Sequence, residues 1–364
     1  MSSDPSDQNR LLPVEVHQQF FGDRPIVKQQ VIGSGHIHQT YRVSVGKAAS
    51  IQHYIVQRLN TQVFSKPQAI LQNIQTLNQY LKNSTYPLAL LEPWPALSGD
   101  YLIVDDQQKY WRAFPYLENT LALDQAEHPE QVYEAAWAFG TFSAHTRAID
   151  TQQFNTILPN FHDVQIRYRQ WEKALLEASP RRLKEAAPAL QKIRQYAFLL
   201  KQSQPSNLPL RLCHYDTKIN NVLLDAVQQK AICIIDLDTL MPGYLMYDFG
   251  DMVRTMAVQA GEEERDLTKV ALWPEAFEAL CQGFLSAMQG AFLPGEFQSL
   301  LSGAYLIVYE QALRFMTDFL QGNSYYTVYH PQQNLWRAEN QLQLLQSLLD
   351  HRAFMEAHLH EENN

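Results

Sequence analysis

The amino-acid sequence predicts an α+β fold with two lobes, a small N-terminal lobe with an antiparallel sheet and one main helix, and a larger, mostly helical C-terminal lobe. Residues up to about 115 run mostly in short stretches where apolar and polar side chains alternate, which is typical of strands. Residues beyond about 125 carry apolar side chains at helical spacing, interrupted by a short apolar run at 231–235 that reads as a buried strand. The 364 residues suffice for two hydrophobic cores.

The small lobe is predicted to end near residue 117, where the strand pattern gives way to a turn. Its main helix follows from Ile70, Ile74 and Leu77, which recur at helical spacing. We assign residues 1–117 to an N-terminal nucleotide-binding lobe and residues 118–364 to a C-terminal lobe that holds the remaining site residues. The predicted elements of the first lobe are a helix at 14–21, strands at 25–32, 40–45 and 50–58, a helix at 67–81, and strands at 101–104 and 110–115.

The second lobe is predicted to be helical except around residues 210–240. Its helices follow from apolar periodicity, most clearly around Trp137, Phe139 and Phe142. The predicted helices are 129–145, 163–178, 184–200, 273–287, 295–319 and 331–349.

Composition and charge exclude several classes of protein. Hydrophobic residues make up 46 % and charged residues 18 %, which is typical of a globular chain. The formal net charge of −9 argues against a nucleic-acid or anionic-membrane partner. The three cysteines lack CxxC spacing, which argues against a zinc site or a disulfide framework. The polar N-terminus and the lack of a long apolar segment favour a cytoplasmic protein with no membrane partner.

The stretch from Leu212 to Asp225 carries the chemistry. It places His214, Asp216 and Asn221 in the order His-x-Asp-x4-Asn. Asp236 and Asp238 follow at the end of the apolar run, on one side of the chain if that strand persists. Phosphoryl transfer needs such a set, a base for the acceptor hydroxyl and hard oxygen ligands for Mg²⁺. We therefore predict Asp216 as the catalytic base, and Asn221, Asp236 and Asp238 as metal ligands.

Positive charge and flexible backbone complete the predicted nucleotide site. Lys218 is a catalytic candidate, because its ammonium could reach a transferring phosphate. The glycines of Gly33-Ser34-Gly35 would let the backbone approach phosphates, and Arg58 is the predicted cation over the nucleotide. Asp248 is interpreted as a helix N-cap or a carboxylate that braces a loop. Taken singly, each aspartate is more often a turn residue, whereas the ordered set favours phosphotransfer.

These motifs resemble the aminoglycoside phosphotransferase/choline kinase superfamily, and more narrowly its N-acetylhexosamine 1-kinase branch. The resemblance rests on the 214–225 stretch, on Ile235-Asp-Leu-Asp-Thr-Leu-Met-Pro-Gly243, and on matching segments at 32–41, 56–60 and 314–337. It implies a protein-kinase-like bilobal fold with ATP as co-substrate and Mg²⁺ as cofactor. It also implies that Asp216, Arg314 and Tyr325 contact a sugar.

Two departures from the branch stand out. His36-Ile-His-Gln39 replaces the usual His-Ile-Asn-Asp, and residues 60–90 contain no Asp or Glu. The acidic residue expected on the first-lobe helix is therefore missing, and Gln72 or Asn73 stands near its position.

The predicted function is an ATP- and Mg²⁺-dependent kinase of carbohydrate metabolism that phosphorylates a sugar hydroxyl, namely the anomeric hydroxyl of an N-acetylhexosamine. Two alternatives stay open. The acceptor could instead be an aminoglycoside, a choline-like alcohol or another metabolite, or the chain could be a pseudokinase that binds nucleotide without transferring phosphate. The sequence leaves the oligomeric state open.

Overall fold

Two hydrophobic cores organise the structure, a computed structural model that describes residues 11–32, 37–47, 50–202 and 207–362. The smaller core lies on one face of the N-terminal sheet, and the larger one fills the helical remainder. The α+β class and the division into a sheet-based and a helical part are confirmed. The exact lobe boundary at residue 117 stays a prediction.

A five-stranded antiparallel sheet forms the small lobe, in the strand order β1-β2-β3-β5-β4. Helix α1 (Val14–Phe21) precedes it. The strands are β1 (Ile26–Val31), β2 (Gln39–Val45), β3 (Gln52–Arg58), β4 (Ile103–Val104) and β5 (Tyr110–Pro115).

Alternation along these strands separates two faces of the sheet. Tyr41, Tyr54 and Val56 are buried on the face that joins Phe20 and Phe21 of α1 in the smaller core. The intervening residues lie on the opposite face, because successive side chains of a strand point to opposite sides. Arg112 on β5 belongs to this second face, and its Nε donates a hydrogen bond to Oε1 of Gln57 on β3 at 2.9 Å.

Helix α2 (Pro67–Lys82), the main helix predicted for the small lobe, packs into the larger core. Its buried side chains Ile70, Ile74 and Leu77 belong to that core and not to the core of the sheet. Asn73, one of the residues near the missing acidic position, is 1 % exposed and donates to the carbonyl oxygens of Asn155 and Leu240 at 2.9 and 2.8 Å. This helix is thus tied to the backbone of the second lobe.

The larger lobe is a set of helices around two short sheets. Strand β6 (Thr120–Ala122) pairs with β8 (Val222–Asp225), which pairs with β9 (Ala231–Ile234), and β7 (Arg211–Cys213) pairs with β10 (Met241–Gly243). The helices are α3 (Pro129–His145), α4 (Val164–Glu177), α5 (Pro180–Glu185), α6 (Ala187–Gln195), α7 (Leu245–Met256), α8 (Pro274–Met288), α9 (Glu296–Leu320), α10 (Gln333–Asp350) and α11 (Arg352–Glu362).

Helices α7 and α9 cross closely at Gly250 and Gly303. A Cβ added at Gly250 would lie 2.5 Å from the carbonyl oxygen of Gly303, and one added at Gly303 would collide with the carbonyl oxygen of Met246. Both positions therefore need glycine, since backbone meets backbone there. The crossing fixes α7, which carries Asp248 and Asp251, under the loop that follows β7.

The helix predicted at 184–200 is divided in the structure. Pro180 begins α5, Pro188 lies in the first turn of α6, and a 3-10 segment follows at Tyr196–Gln202. Proline is favoured in the first turn and not in a helix interior, which explains the division. Helices α7 and α11 were not predicted. Within the described residues, no helix is long and apolar enough to cross a membrane.

Candidate active site

The loop between β7 and β8 carries His214, Asp216, Lys218 and Asn221, and buried carboxylates of α7 hold its backbone. The backbone N–H groups of His214 and Tyr215 donate to the two carboxylate oxygens of Asp248, each at 2.8 Å. The N–H of Thr217 donates to Asp251 at 3.0 Å. These bonds stabilise the left-handed backbone of Tyr215, whose φ is 66°. Asp248 therefore braces the loop, as predicted, from the first turn of α7.

His214 is fully buried and links the loop to the residue before Asp236. Its Nδ1 accepts the N–H of Asp216 at 3.3 Å, so the proton must sit on Nε2, which then donates to the carbonyl oxygen of Ile235 at 3.0 Å. His214 is thus a neutral organiser of the loop and not a proton shuttle.

Asp216 lies between a cation and an amide. Its Oδ1 is 2.9 Å from Nζ of Lys218, and its Oδ2 accepts a hydrogen bond from Nδ2 of Asn221 at 3.0 Å. Burial would raise the pKa of Asp216, but the charge of Lys218 outweighs it, and the pKa is lowered below its usual value. The carboxylate of Asp216 is therefore ionised at neutral pH and 25 % exposed, so a hydroxyl group has access to it.

Asn221 and Asp236 present hard oxygens beside Asp216. Both bonds donated by Nδ2 of Asn221 go to Asp216, at 2.8 Å to its carbonyl oxygen and 3.0 Å to its carboxylate, and its Oδ1 accepts none from the described residues. The N–H of Ile235 donates to the carbonyl oxygen of Asn221 at 2.9 Å, which joins the two segments. Within the described chain, the Asp236 carboxylate likewise accepts no hydrogen bond.

Asp236 lies two residues beyond the end of β9. Its backbone is left-handed, with φ 59°, and its side chain is open to solvent although protein surrounds it. Burial, with the nearby charges of Asp238 and Asp216, raises the pKa of Asp236 to about 6. A carboxylate that lies near other negative charges is stabilised by a bound cation, and its oxygen atoms suit Mg²⁺. No three His, Cys, Asp or Glu side chains cluster as metal ligands in the described residues, so most ligands of such an ion would come from phosphate and water.

The Asp238 carboxylate has partners of its own, and its role as a metal ligand beside Asp236 stays a prediction that this placement does not favour. The strand β9 ends at Ile234, so the expected alternation does not continue. Both carboxylate oxygens of Asp238 are engaged by the small lobe, Oδ1 at 2.6 Å from Nη1 of Arg112 and Oδ2 at 2.8 Å from Nε2 of His38. Burial would raise the pKa of Asp238, but Arg112 lowers it to about 2.

Of the residues predicted to bind the nucleotide, the structure describes only Arg58. Gly33, Ser34 and Gly35 lie outside the described residues. Arg58 ends β3 on the same alternating face as Tyr54 and Val56, the face turned toward α1. Gln57, on the opposite face, is the residue that contacts Arg112. The nucleotide role of Arg58 stays a prediction that this placement does not favour.

The predicted acceptor residues lie near one another on the second lobe. The guanidinium of Arg314 on α9 is 5.2 Å from the ring centre of Phe161 and 5.7 Å from that of Tyr326. Its Nη1 donates to Gln311 at 3.1 Å. Tyr325 is 65 % exposed, and its ring stands edge-on to Tyr326 with centres 4.8 Å apart. Together they form an aromatic surface with one cation in it.

Arg254 links this surface to the catalytic loop. It lies close enough to influence both Lys218 and Arg314, and it is ion-paired with Asp251 and Glu262. Arg314 has no carboxylate within salt-bridge distance among the described residues. The carboxylate charge that acts on Arg314 comes from Glu310, one helical turn away, which His162 and Arg167 share.

Sequence reasoning missed Arg112 and His38. A signal existed for Arg112, because a charged residue inside the apolar strand Trp111-Arg-Ala-Phe114 needs a partner when buried. His38 was noted only as a departure from a family pattern. Neither residue could be matched to Asp238 without the fold, because all three belong to separate segments.

Comparison with known proteins identifies the family. The model of the APH phosphotransferase enzyme family matches residues 28–281, more than half of the chain. Among solved structures, a microcompartment-associated aminopropanol kinase is similar, with TM-score 0.61 and 16 % identity over 92 % of this chain and 95 % of that one. The amicoumacin kinase hAmiN, solved with AMP-PNP, Ca²⁺ and Ami, has TM-score 0.60 and 12 % identity over 90 % and 91 %.

An aminoglycoside phosphotransferase from Alicyclobacillus acidocaldarius gives TM-score 0.57 and 14 % identity over 98 % of this chain and 97 % of that one. At these identities the solved structures support the fold alone. The N-acetylhexosamine 1-kinase branch is not shown by any of these comparisons and stays a prediction. The family match, together with the kinase-like fold, shows that this chain belongs to the APH phosphotransferase enzyme family.

Proposed function

We propose that the protein transfers the γ-phosphoryl group of ATP to a hydroxyl group of a small, uncharged sugar, with Mg²⁺ as cofactor. The observation that carries this proposal is the proximity of Asp216, Lys218 and Asn221 to the solvent-exposed Asp236. Family membership supports the phosphotransferase chemistry. The AMP-PNP bound by one structural neighbour supports ATP as the donor.

Each residue has a distinct role in the proposed reaction. Asp216, ionised and accessible, accepts a hydrogen bond from the acceptor hydroxyl and takes its proton as the bond to phosphorus forms. Lys218 lies within reach of Asp216 and stabilises negative charge on the transferring group. Asn221 and Asp236 are the side chains that would hold Mg²⁺, which supplies neutralisation of phosphate charge. Asp238 has no direct role in this scheme.

The acceptor is proposed to be neutral because of the charge balance around Arg314. The guanidinium of Arg314 lies beside aromatic rings and its nearby carboxylate, Glu310, is shared with His162 and Arg167, which disfavours a polycationic acceptor and suits hydroxyl or acetamido oxygens. The resemblance of the sequence to N-acetylhexosamine 1-kinases narrows the proposal to the anomeric hydroxyl of such a sugar. The second candidate is an amino alcohol or aminoglycoside acceptor, since the structural neighbours include an aminopropanol kinase and an aminoglycoside phosphotransferase.

An ADP-release assay with N-acetylglucosamine, N-acetylgalactosamine, an amino alcohol and an aminoglycoside tests both candidates. Asp216→Asn keeps the shape of the side chain and removes the base, and we expect it to lower kcat by about 10²- to 10⁴-fold. Wild-type protein that releases no more ADP than this variant with every acceptor would contradict the phosphotransfer proposal, and nucleotide binding without turnover would favour the pseudokinase.

Arg314→Met separates the two acceptor classes. For a neutral sugar, loss of the guanidinium should raise KM with a smaller change in kcat, because a binding contact is lost. For a cationic acceptor, removal of a like charge should lower KM. Arg24→Met is the matched control, since the guanidinium of Arg24 lies 5.5 Å from the ring centre of Phe21 in the small lobe.

A further inference from the structure

A buried contact joins the two lobes through three side chains, Arg112, His38 and Asp238. Arg112 comes from β5 and His38 from the segment just before β2, whereas Asp238 comes from the loop after β9. Their side chains are 3 %, 7 % and 1 % exposed, respectively. Each oxygen of the Asp238 carboxylate therefore has its own partner from the small lobe, at 2.6 Å from Arg112 and 2.8 Å from His38.

The partners of His38 determine its protonation. Nδ1 accepts the backbone N–H of Asn60 at 3.1 Å, so in the neutral ring the proton sits on Nε2 and is donated to Asp238. A neutral His38 satisfies both bonds, and Arg112 alone then balances the charge of Asp238. The two hydrogen bonds of His38 therefore form with a neutral ring that carries its single proton on Nε2.

Arg112 is itself held across the sheet. Its Nε donates to Gln57 at 2.9 Å, and Nε2 of Gln57 donates to the hydroxyl of Thr40 at 3.2 Å. These bonds cross β5, β3 and β2, so the position of the guanidinium depends on the packing of three strands. The contact between Arg112 and Asp238 therefore depends on the position of the whole sheet relative to the second lobe.

The loop that carries Asp236 is fixed at three consecutive residues by three different elements. Asp238 is held by the small-lobe sheet. The hydroxyl of Thr239 donates to the carbonyl oxygen of His214 at 2.6 Å, and the carbonyl oxygen of Leu240 accepts from Asn73 of α2 at 2.8 Å. The sheet, the catalytic loop and α2 all meet on the segment that follows Asp236.

We propose that Arg112 and His38 are positioning residues for Asp236, because by holding Asp238 they couple the seating of the small-lobe sheet to the orientation of the neighbouring metal-binding carboxylate. The inference rests on the proposed function, in which Asp236 binds Mg²⁺. Since residues 60–90 contain no Asp or Glu, an acidic residue on α2 cannot join the lobes, and this contact from the strands takes its place.

The test is the Mg²⁺ dependence of turnover in Arg112→Met, Asp238→Asn and the double variant. Loss of a group that orients a metal ligand commonly weakens metal affinity about 10- to 100-fold, so we expect the Mg²⁺ concentration at half-maximal rate to rise by that factor. If the two residues act through each other, the double variant should be no worse than the more impaired single variant. Arg112→Lys should recover part of the effect, because it keeps the charge but loses the bond to Gln57.

Glu296→Gln is the matched control. Glu296 forms a buried pair with Arg211 at 2.5 Å, at the end of the β7–β10 pair that is farther from the Asp236 loop. It should lower the melting temperature and leave the half-maximal Mg²⁺ concentration unchanged. A similar Mg²⁺ shift in Glu296→Gln, an unchanged Mg²⁺ dependence in a folded and active Arg112→Met, or additive effects in the double variant would overturn the inference.

Hydrogen exchange of the full-length protein without ligands tests this inference independently of the proposed function, because it does not depend on turnover. Arg112→Met should raise exchange in peptides covering residues 235–240, and Glu296→Gln should not. If wild-type protein turned over no acceptor, the proposed function would fail while the exchange result still decided whether the lobes are coupled at Asp238. Unchanged exchange at 235–240 in Arg112→Met would refute the coupling.

Discussion

At the scale of single residues, buried carboxylates organise the site without touching the reacting groups. Asp248 and Asp251 accept backbone N–H groups of the catalytic loop, and this fixes where Asp216 projects. A buried carboxylate that receives two N–H bonds still loses its hydration, and burial raises the pKa of Asp248 to about 6 in spite of those bonds. The loop is therefore held by a group whose ionisation is itself costly.

This cost predicts a pH dependence of stability for Asp248→Asn. The usual pKa is 3.8 and the folded-state value is about 6, so the folded state binds more protons between these values. The contribution of Asp248 to the free energy of unfolding is thus fully present below about pH 4 and declines as pH rises through 6. Relative to Asp248→Asn, wild-type protein should lose on the order of 3 kcal/mol between pH 4 and 7.

Denaturant unfolding at a series of pH values measures this difference. Asp225→Asn is a control of opposite sign, because the N–H groups of Gln228 and Val227 lower the pKa of Asp225. The contribution of Asp225 to the free energy of unfolding is present above about pH 4 and is lost as the pH falls. A wild-type to Asp248→Asn difference that stays constant from pH 4 to 7 would contradict the prediction.

Residues close together in sequence could be assigned to one site, whereas contacts between distant segments could not. Asp216 and Asn221 share one loop, and Asp236 follows a strand paired to the strand after that loop. Their convergence follows from local connections. The partners of Asp238 could not be predicted, because they come from β5 and from the segment before β2, and no local pattern reveals a left-handed residue at Asp236 that ends the alternation.

At the scale of elements, the crossing of α7 and α9 positions the carboxylates just described. The sequence did not predict α7 because nearly all its residues are buried, Thr255 being the exception. Asp248, Asp251 and Arg254 recur at helical spacing but are buried and bind the catalytic loop or one another, so this polar stripe does not mark a solvent-exposed face. The long helix α9, with more partly exposed positions, was predicted over residues 295–319 and spans Glu296–Leu320.

Gly303→Ala should destabilise the protein strongly. The added Cβ would meet the Met246 carbonyl oxygen, a backbone atom that cannot rotate away, so the helices must separate. Overpacking of this kind costs about 1–3 kcal/mol and sometimes more, and we expect the upper part of that range in denaturant unfolding. Gly261→Ala is the control, because no atom lies within 4 Å of its added Cβ. Equal stability of the two variants would refute the tight crossing.

At the scale of the whole molecule, α2 belongs to the second lobe in packing although it lies within the first lobe in sequence. Its apolar side chains enter the larger core, and Asn73 joins it to Asn155 and Leu240. The sequence predicted helix α2 correctly but not the core into which it packs. Apolar periodicity shows that one face of a helix is buried, but it does not show which other elements cover that face. Relative motion of the lobes must therefore occur between the sheet and α2.

Asn73→Ala tests this attachment. Two carbonyl oxygens lose their donor, and an unsatisfied buried polar group costs about 1–3 kcal/mol, so stability should fall by at least that amount. Asn78→Ala on the same helix is the matched control, since Asn78 donates only to the carbonyl oxygen of Leu91. Both variants should lose stability, but only Asn73→Ala should raise hydrogen exchange around residues 155 and 240. The same exchange pattern in both variants would argue against a specific link.

The order of strands in the small sheet has a consequence for synthesis on the ribosome. β3 pairs with β5, with Arg58 opposite Trp111, and the intervening chain includes α2, whose partners are encoded much later. The nascent sheet cannot close before residue 115 has left the exit tunnel, and α2 then lacks its partners near residues 155 and 240 until those segments have been synthesised. We therefore expect the strands of the small sheet to pair before α2 docks on the larger core.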